Sequence, residues 1–360
     1  MRRAERSGAA PPDPPARGKA RPKRVAIACQ GGGSHAAFTA GVLRRLLSDE
    51  FRDGFELAGI SGTSGGAICA ALAWAGLATA GPEDARARLA GFWDHAKADT
   101  PIDAWQNYWG MALASLPWNV DVSPYRLENG ADRVLTEWLR AFLHLEKIGA
   151  PARRRAPALF VGATDVLTGD RCIFRGEELD YPDLIGSAAL PFLYRAVHTR
   201  GHVLWDGLFS VNPPIRDLLD LAVDELWVIQ ISPLAIRQEP RSVEAIRERR
   251  DQLAGNLSLA QELHFVDKIN EILALNGPLK HKHPGAQDRY YTPVAIHLLD
   301  AGLEEARFGY ASRLDRSPSL LDELLSRGEE MAPRLLAEET LWPRRGALEG
   351  RTLTIARRKR

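Results

Sequence analysis

Residues 55–66 read Phe55-Glu56-Leu57-Ala58-Gly59-Ile60-Ser61-Gly62-Thr63-Ser64-Gly65-Gly66, and an alanine-rich run from Ala67 to Ala80 follows. The first six residues predict a short buried strand, and the alanine-rich run predicts a helix. Between them, Gly62-Thr63-Ser64-Gly65-Gly66 spells G-x-S-x-G. In that pattern a serine sits on a sharp strand-to-helix turn with its hydroxyl exposed, the nucleophile elbow. Small residues on both sides allow a strained backbone and close approach of a substrate. The start of the helix places positive partial charge beside the serine, where an oxyanion would form.

A second strand–turn–helix unit lies upstream. Arg24 to Cys29 reads as a buried strand, Gln30-Gly31-Gly32-Gly33-Ser34-His35 as a glycine turn, and Ala36 to Leu47 as a helix with Ala40, Leu43 and Leu47 on one face. Repetition of this unit predicts an α/β fold with a mostly parallel central sheet. The glycine turn also fits the dinucleotide fingerprint as Gly31-x-Gly33-x-x-Ala36. That fingerprint requires an acidic residue at the end of the second strand, where this chain has Ile60-Ser61-Gly62, and Glu56 lies too early. Backbone amides of Gly31, Gly32, Gly33 and Ser34, with Gly65 beyond the serine, therefore read as an oxyanion hole.

With 360 residues, 45% of them hydrophobic and 26% charged, the chain is long enough for one large core or two ordinary ones. A formal net charge of +1 excludes the basic excess of a general nucleic-acid binder, so no nucleic-acid partner is expected. Residues 1–24 hold eight Arg or Lys against two acidic residues, and Arg357-Arg358-Lys359-Arg360 close the chain. These tails read either as solvated ends or as a weak hold on an anionic membrane surface. Cys29, Cys69 and Cys172 make no metal-ligand spacing and no even disulfide set. No metal and no cofactor are expected, and Cys29 and Cys69 read as small buried hydrophobes in a reducing compartment. No secretory apolar region follows Arg2-Arg3, and the stretch Ala67 to Ala80 is too short to span a bilayer. The expected location is cytoplasmic, with peripheral membrane contact at most, and nothing in the sequence fixes the oligomeric state.

The expected organisation is a disordered basic, proline-rich tail over 1–23, a catalytic domain over 24–220, a remainder of the core sheet with a helical extension over 221–345, and a basic tail over 346–360. Within the catalytic domain, about 85–145 reads as a helical insertion broken by Pro101, Pro117 and Pro124. It carries Trp93, Trp105, Trp109, Trp118 and Trp138, five of the nine tryptophans, and reads either as a cap with an acyl-binding lining or as an ordinary helical layer. After a basic loop at Arg153-Arg154-Arg155, strands are expected over Ala158–Ala163, Arg171–Arg175, Val203–Asp206 and Glu225–Ile231. Ala188 to Phe192 reads as a helix end closed by Pro191. Residues 235–280 read as long helices with alternating charges, and Thr292–Leu299 as a late strand.

A serine nucleophile needs a base. None of the nine histidines sits in a motif that marks it, whether His198 and His202 before Asp206 or His264, His281, His283 and His297 after it. Asp206 ends a predicted strand and precedes Gly207, and desolvation there would raise its proton affinity toward that of a usable base. The residues alone make Asp206 a candidate.

From about Arg24 to Leu219 the sequence resembles the patatin-like phospholipase family, particularly its bacterial members. The resemblance rests on Gln30-Gly31-Gly32-Gly33-Ser34-His35, Gly62-Thr63-Ser64-Gly65-Gly66 and Asp206-Gly207 in that order. Further links are Ser123-Pro124-Tyr125, Ala163-Thr164-Asp165-Val166 with Thr168-Gly169, Ser187-Ala188-Ala189-Leu190-Pro191, and Asn212-Pro213. It implies a patatin-like α/β/α sandwich, a Ser64–Asp206 dyad without a catalytic histidine, and hydrolysis of acyl esters of phospholipids or related lipids. The chain departs from the family pattern at Ala36, usually glycine, and at Leu208, usually Gly or Ala. A binding protein with impaired catalysis and an acyltransferase are the two alternatives. Head-group, acyl-chain and sn-1 versus sn-2 preferences are not legible.

Overall fold

The computed structural model describes residues 21–114, 123–126, 131–191, 193–236, 238–277, 279–280, 290–303, 308–309, 311–337 and 339–342. The strands are β1 Lys23–Cys29, β2 Phe55–Thr63, β3 Ala158–Asp165, β4 Arg171–Arg175, β5 Val197–Thr199, β6 His202–Asp206, β7 Glu225–Gln230, β8 Leu279–Lys280, β9 Tyr290–Tyr291 and β10 Ala295–Asp300. The helices are α1 Ala37–Leu46, α2 Gly65–Thr79, α3 Pro82–His95, α4 Pro101–Ala114, α5 Ala131–Leu143, α6 Ala150–Arg155, α7 Tyr181–Ser187, α8 Arg216–Leu219, α9 Val243–Asn276, α10 Pro318–Met331 and α11 Pro333–Leu336.

Eight of the described strands form one sheet in the order β10-β7-β1-β2-β3-β6-β5, with β4 also on β3; β8 and β9 pair separately. The strands from β10 to β3 run parallel, whereas β4, β5 and β6 join antiparallel. The parallel strands are covered on both faces, which is why their sequences read as continuous apolar runs rather than alternating ones. Along β1, Val25, Ile27 and Cys29 enter one core cluster and Ala26 and Ala28 the other. The first cluster also takes Phe38 and Leu43 from α1, Leu72 and Trp74 from α2, Leu89 from α3, Leu139 from α5 and Leu324 from α10. The second takes Leu218 from α8 and Leu259, Leu263 and Val266 from α9. The result is an α/β/α sandwich with a mostly parallel sheet and a helical C-terminal region, as the sequence predicts.

Several local expectations change. The first strand begins at Lys23, which pairs with Phe55, so the N-terminal tail ends earlier than 23; residues 1–20 lie outside the described residues. The basic loop is the end of α6. Arg153 is drawn into it because its guanidinium gathers the carbonyls of Leu145, Ile148, Gly176 and Leu179. The helices expected over 235–280 are one 34-residue helix, α9. In the insertion, Trp93 is buried, Trp138 packs on the same cluster and Trp105 is exposed. Trp118, Pro117, Phe192, the side chain of Trp109 and residues 343–360 lie outside the described residues. No helix among the described residues is long and apolar enough to cross a membrane.

Candidate active site

In the sheet register Gly62 lies between Cys29 of β1 and Val161 of β3, so the ends of three parallel strands stand side by side. Ser64 follows directly, buried, at φ 55° and ψ −130°, as the residue preceding α2. This left-handed φ is strained for a residue with a side chain and is held only where the surroundings over-determine it. The surroundings here do so. Ser64 N–H donates to Ser187 Oγ at 2.9 Å, and that hydroxyl donates to Gly162 O at 2.6 Å. Thr63 Oγ1 donates to Val211 O at 2.7 Å, and the Ser61 hydroxyl donates to the Pro214 carbonyl. A side chain on Gly66 would run into the carbonyls of Cys29 and Gln30, so the elbow can pack against β1 only with glycine there.

The glycine turn lies against the elbow. A Cβ on Gly31 would meet Thr63 O at 2.7 Å and Ser64 Cβ at 2.9 Å, and one on Gly65 would meet Gly33 O at 2.7 Å and Ala36 Cβ at 2.8 Å. Ala36, the departure from the family pattern, thus closes on Gly65 without displacing it. Gln30 fixes the turn from the far side: Oε1 accepts the amides of Ile231 and Ser232, each at 2.8 Å, and Nε2 donates to Asn256 Oδ1 of α9 at 3.0 Å. Gly31 requires a correction within the oxyanion set. Its N–H is already given to the buried Asn212 Oδ1 at 2.7 Å, so its amide positions the turn and the oxyanion expectation passes to Gly32, Gly33, Ser34 and Gly65. Gly33 and Ser34 open a 3-10 turn, whose first amides have no partner within the turn itself. His35 is buried beside Ser312 Oγ at 2.8 Å. Burial, with Arg313 nearby, lowers its pKa to about 3, so the ring is neutral and not a base at neutral pH.

Asp206 ends β6 and is 1% exposed. Its N–H donates to Ala189 O at 3.0 Å, Thr164 Oγ1 donates to its carbonyl at 2.9 Å, and Oδ1 accepts the Leu208 amide at 2.9 Å. Oδ2 has no hydrogen-bond partner among the described residues. Burial pushes the carboxyl up to about 7, opposed by the Leu208 amide, the Ser64 hydroxyl and the Arg313 guanidinium, and assisted by Asp251. The Ser64 hydroxyl is therefore beside the carboxyl, within range to favour its ionised form, without standing at hydrogen-bond geometry. A side chain on Gly207 would meet Gly162 O at 2.7 Å and Thr63 Cγ2 at 2.8 Å, which seats the aspartate motif on the elbow. Leu208 is buried against Gly255 of α9 and helps dry the carboxyl.

Four contributors escaped sequence reasoning: Ser187, Asn212, Arg313 and the inner face of α9. Ser187 and Asn212 lie in stretches that carry the family resemblance, but no local pattern states what their side chains do. Arg313, whose guanidinium meets Glu248 of α9 at 2.8 Å, and α9 itself reach the site only through tertiary packing.

The family model described as patatin-like phospholipase matches residues 27–219, a span that holds both glycine motifs, Ser187, Asp206 and Asn212. The chain belongs to the patatin-like phospholipase family. Lipid acyl hydrolysis is the coarse function that this membership assigns. Arg313 and α9 lie beyond the matched patatin-like span. Among solved structures, VipD from Legionella pneumophila is similar at 13% identity over 88% of this chain and 67% of that one, with a TM-score of 0.42. The type III effector protein ExoU is similar at 14% identity over 89% of this chain, with a TM-score of 0.36, and this chain spans 53% of its length. No curated protein matches the chain.

Proposed function

We propose that this patatin-like chain cleaves carboxylic esters of phospholipids or related lipids with Ser64 as nucleophile and Asp206 as base. The observation that carries this reading is the pairing of a strained serine at a strand–helix elbow with a buried aspartate whose Oδ2 is unpartnered. A proton passes from Ser64 Oγ to Asp206 as Oγ bonds to the ester carbonyl carbon. The amides of Gly32, Gly33, Ser34 and Gly65 hold the resulting oxyanion, aided by the positive end of α2. Asp206 returns the proton to the departing alcohol, leaving an acyl group on Ser64. Water, deprotonated by Asp206, then attacks the acyl carbon, and the fatty acid leaves as Ser64 Oγ regains a proton. Gly62, Thr63 and Gly66 shape the elbow, and Gly207 and Leu208 fix and desolvate the base.

The catalytic unit is taken to run over 24–220, with 221–345 completing the sheet. A cytoplasmic protein that touches anionic membrane surfaces through basic tails fits the substrate class. The test is hydrolysis of p-nitrophenyl esters of increasing acyl length, and of phospholipid in mixed micelles. Turnover that rises with chain length and falls at least about a thousandfold in both Ser64→Ala and Asp206→Ala is expected, given how strongly members of a catalytic unit depend on one another. Substantial turnover in a folded Ser64→Ala protein would falsify the mechanism. Product that forms only with an added alcohol acceptor would identify an acyltransferase. Liposome binding in both variants, without wild-type turnover, would identify a binding protein.

A further inference from the structure

Asp165, Cys172 and His202 take no part in the ester chemistry, yet three chain segments bring them together. Asp165 ends β3, Cys172 lies in β4 and His202 opens β6. One carboxylate oxygen, the thiol sulfur and one ring nitrogen all lie within 4.8 Å of one another. The β3–β4 hairpin sets the first two by pairing Ala163 with Cys172 and Thr164 with Arg171. Its turn is closed by Gly169 N–H to Asp165 O at 2.8 Å. Asp165 Oδ1 accepts the Leu167 amide at 2.9 Å, which orients the carboxylate and leaves Oδ2 toward His202 Nδ1 at 2.7 Å. His202 follows a turn at Arg200 and Gly201, both at positive φ, that aims the ring back over the hairpin.

We infer that Asp165, Cys172 and His202 form a binding site for a divalent transition-metal ion of the zinc class. A thiolate with an imidazole selects zinc and its softer neighbours over magnesium or calcium, which take oxygen donors. In a tetrahedral zinc site, donors stand about 3.4–3.6 Å apart for metal–sulfur and metal–nitrogen bonds of about 2.3 and 2.0 Å. The present trio brackets that spacing, with Asp165 Oδ2 and His202 Nδ1 at 2.7 Å and all three donors within 4.8 Å. The carboxylate is already held by a backbone amide, the outer-shell support that fixes a ligand before the metal arrives. Asp165 and Cys172 are buried while the His202 side chain is 46% exposed, so an ion enters from the His202 side and keeps one position for water.

Binding has a proton balance. Burial, with the Asp165 and Asp170 carboxylates, holds the Cys172 thiol above its ordinary pKa, so the metal-free thiol is protonated at neutral pH. The ion forms a bond to sulfur, and the thiol proton goes to solvent. In the metal-free chain His202 Nδ1–H donates to the ionised Asp165 Oδ2. On binding, that proton leaves to solvent and one is taken up at Nε2, a change of tautomer that frees the Nδ1 lone pair for the metal. The site lies four residues from Asp206 along β6, roughly 13 Å at the rise of a strand. The ion therefore supplies no chemistry to the ester. It clamps β3 to β6, the strand pair in which Thr164 holds the Asp206 carbonyl.

The test is titration of chelator-treated full-length protein with Co²⁺. The expected result is one equivalent bound, with a thiolate-to-cobalt charge-transfer band that Zn²⁺ abolishes. Cys172→Ser removes the band. His202→Gln, at a half-exposed position that folding tolerates, weakens affinity at least tenfold. Zn²⁺ should raise the thermal midpoint of the wild type and not of the His202→Gln protein. Absence of a charge-transfer band in the wild type, or a band and affinity unchanged in either variant, overturns the site and leaves Asp165–His202 as a hydrogen bond between β3 and β6. A circular-dichroism spectrum equal to wild type qualifies each variant. If Cys172→Ser fails it, the wild-type and His202→Gln titrations decide.

Discussion

At Asp206 one physical fact has two opposite consequences. Burial raises the carboxyl to about 7, against an unfolded value of about 3.9. In the proposed mechanism the ionised form is the base, so kcat/KM should rise with pH through about 7 and level off above it. Between pH 4 and 7 the native state keeps a proton that the unfolded state has lost, so stability falls as pH rises through that window. The loss amounts to at most about 4 kcal/mol above pH 7. Asp206→Asn should therefore be inactive yet more stable than the wild type at pH 8, with the difference shrinking toward pH 5. Urea unfolding at the two pH values reads this directly, and a gap independent of pH would show that the carboxyl is not held protonated by its burial. Ser64 could be read as a candidate nucleophile because strand, glycines and serine are neighbours along the chain, whereas Asp206 was only a candidate until the family resemblance marked it as the base. Asn212 was not, because its hydrogen bond to Gly31 spans 181 residues and leaves no local pattern.

At the scale of elements, the end of α7 matters to the elbow as much as α2 does. Ser187 links Ser64 N–H to Gly162 O and is fully buried. Ser187→Ala leaves two buried backbone groups without partners, which costs roughly 1–3 kcal/mol for each group. The expected outcome is a loss of about 2–6 kcal/mol in chemical denaturation together with a lower kcat, because the strained φ at Ser64 loses one restraint. An unchanged midpoint would mean that water replaces the hydroxyl. Helix α9 explains why the second half of the chain was harder to read. Its inner face near the site is polar, with Glu248, Gln252 and Asn256 buried, while Val243, Ile246, Leu253 and Leu257 are exposed. Farther along, Leu259, Leu263 and Val266 bury in the ordinary way. The apolar face therefore switches sides along one helix, and its periodicity cancels. The parallel strands show the converse: buried on both faces, they are apolar throughout and visible without any context. Arg313 reaches its place only through this inverted face, by its ion pair with Glu248. Arg313→Gln removes a cation that favours the ionised Asp206, so the rise of kcat/KM should move to higher pH. A midpoint that moves down or stays would remove Arg313 from the electrostatics of the base.

At the scale of the molecule, the matched span 27–219 holds the proposed reacting groups but not a complete fold. β7 lies between β10 and β1, so cutting after residue 219 leaves the β1 edge from Val25 to Cys29 without its partner. The same cut strips Leu226, Val228, Leu259, Leu263, Ile296 and Leu298 from the second core cluster. On the other face it removes α10, which lies so close to α1 that a side chain on Gly41 would strike the Leu325 carbonyl, and one on Gly328 the Phe38 carbonyl. An exposed apolar strand edge is a template for aggregation, and burial of each of those leucines and isoleucines contributes about 1.5–3 kcal/mol. Over the six side chains the loss is about 9–18 kcal/mol, as large as the whole 5–15 kcal/mol by which a domain is ordinarily stable. A fragment of residues 21–219 should thus express as aggregate or as a species without a cooperative thermal transition, while residues 21–342 melt in one step. A cooperative transition in the short fragment, seen by near-ultraviolet circular dichroism, would mean that β1 can close the sheet by itself. The same packing accounts for the chemistry. The region that completes the sheet also carries Asn256 to Gln30 and, through Glu248 and Arg313, a charge to Asp206, so the patatin-like motif is finished by parts of the chain in which no motif can be read.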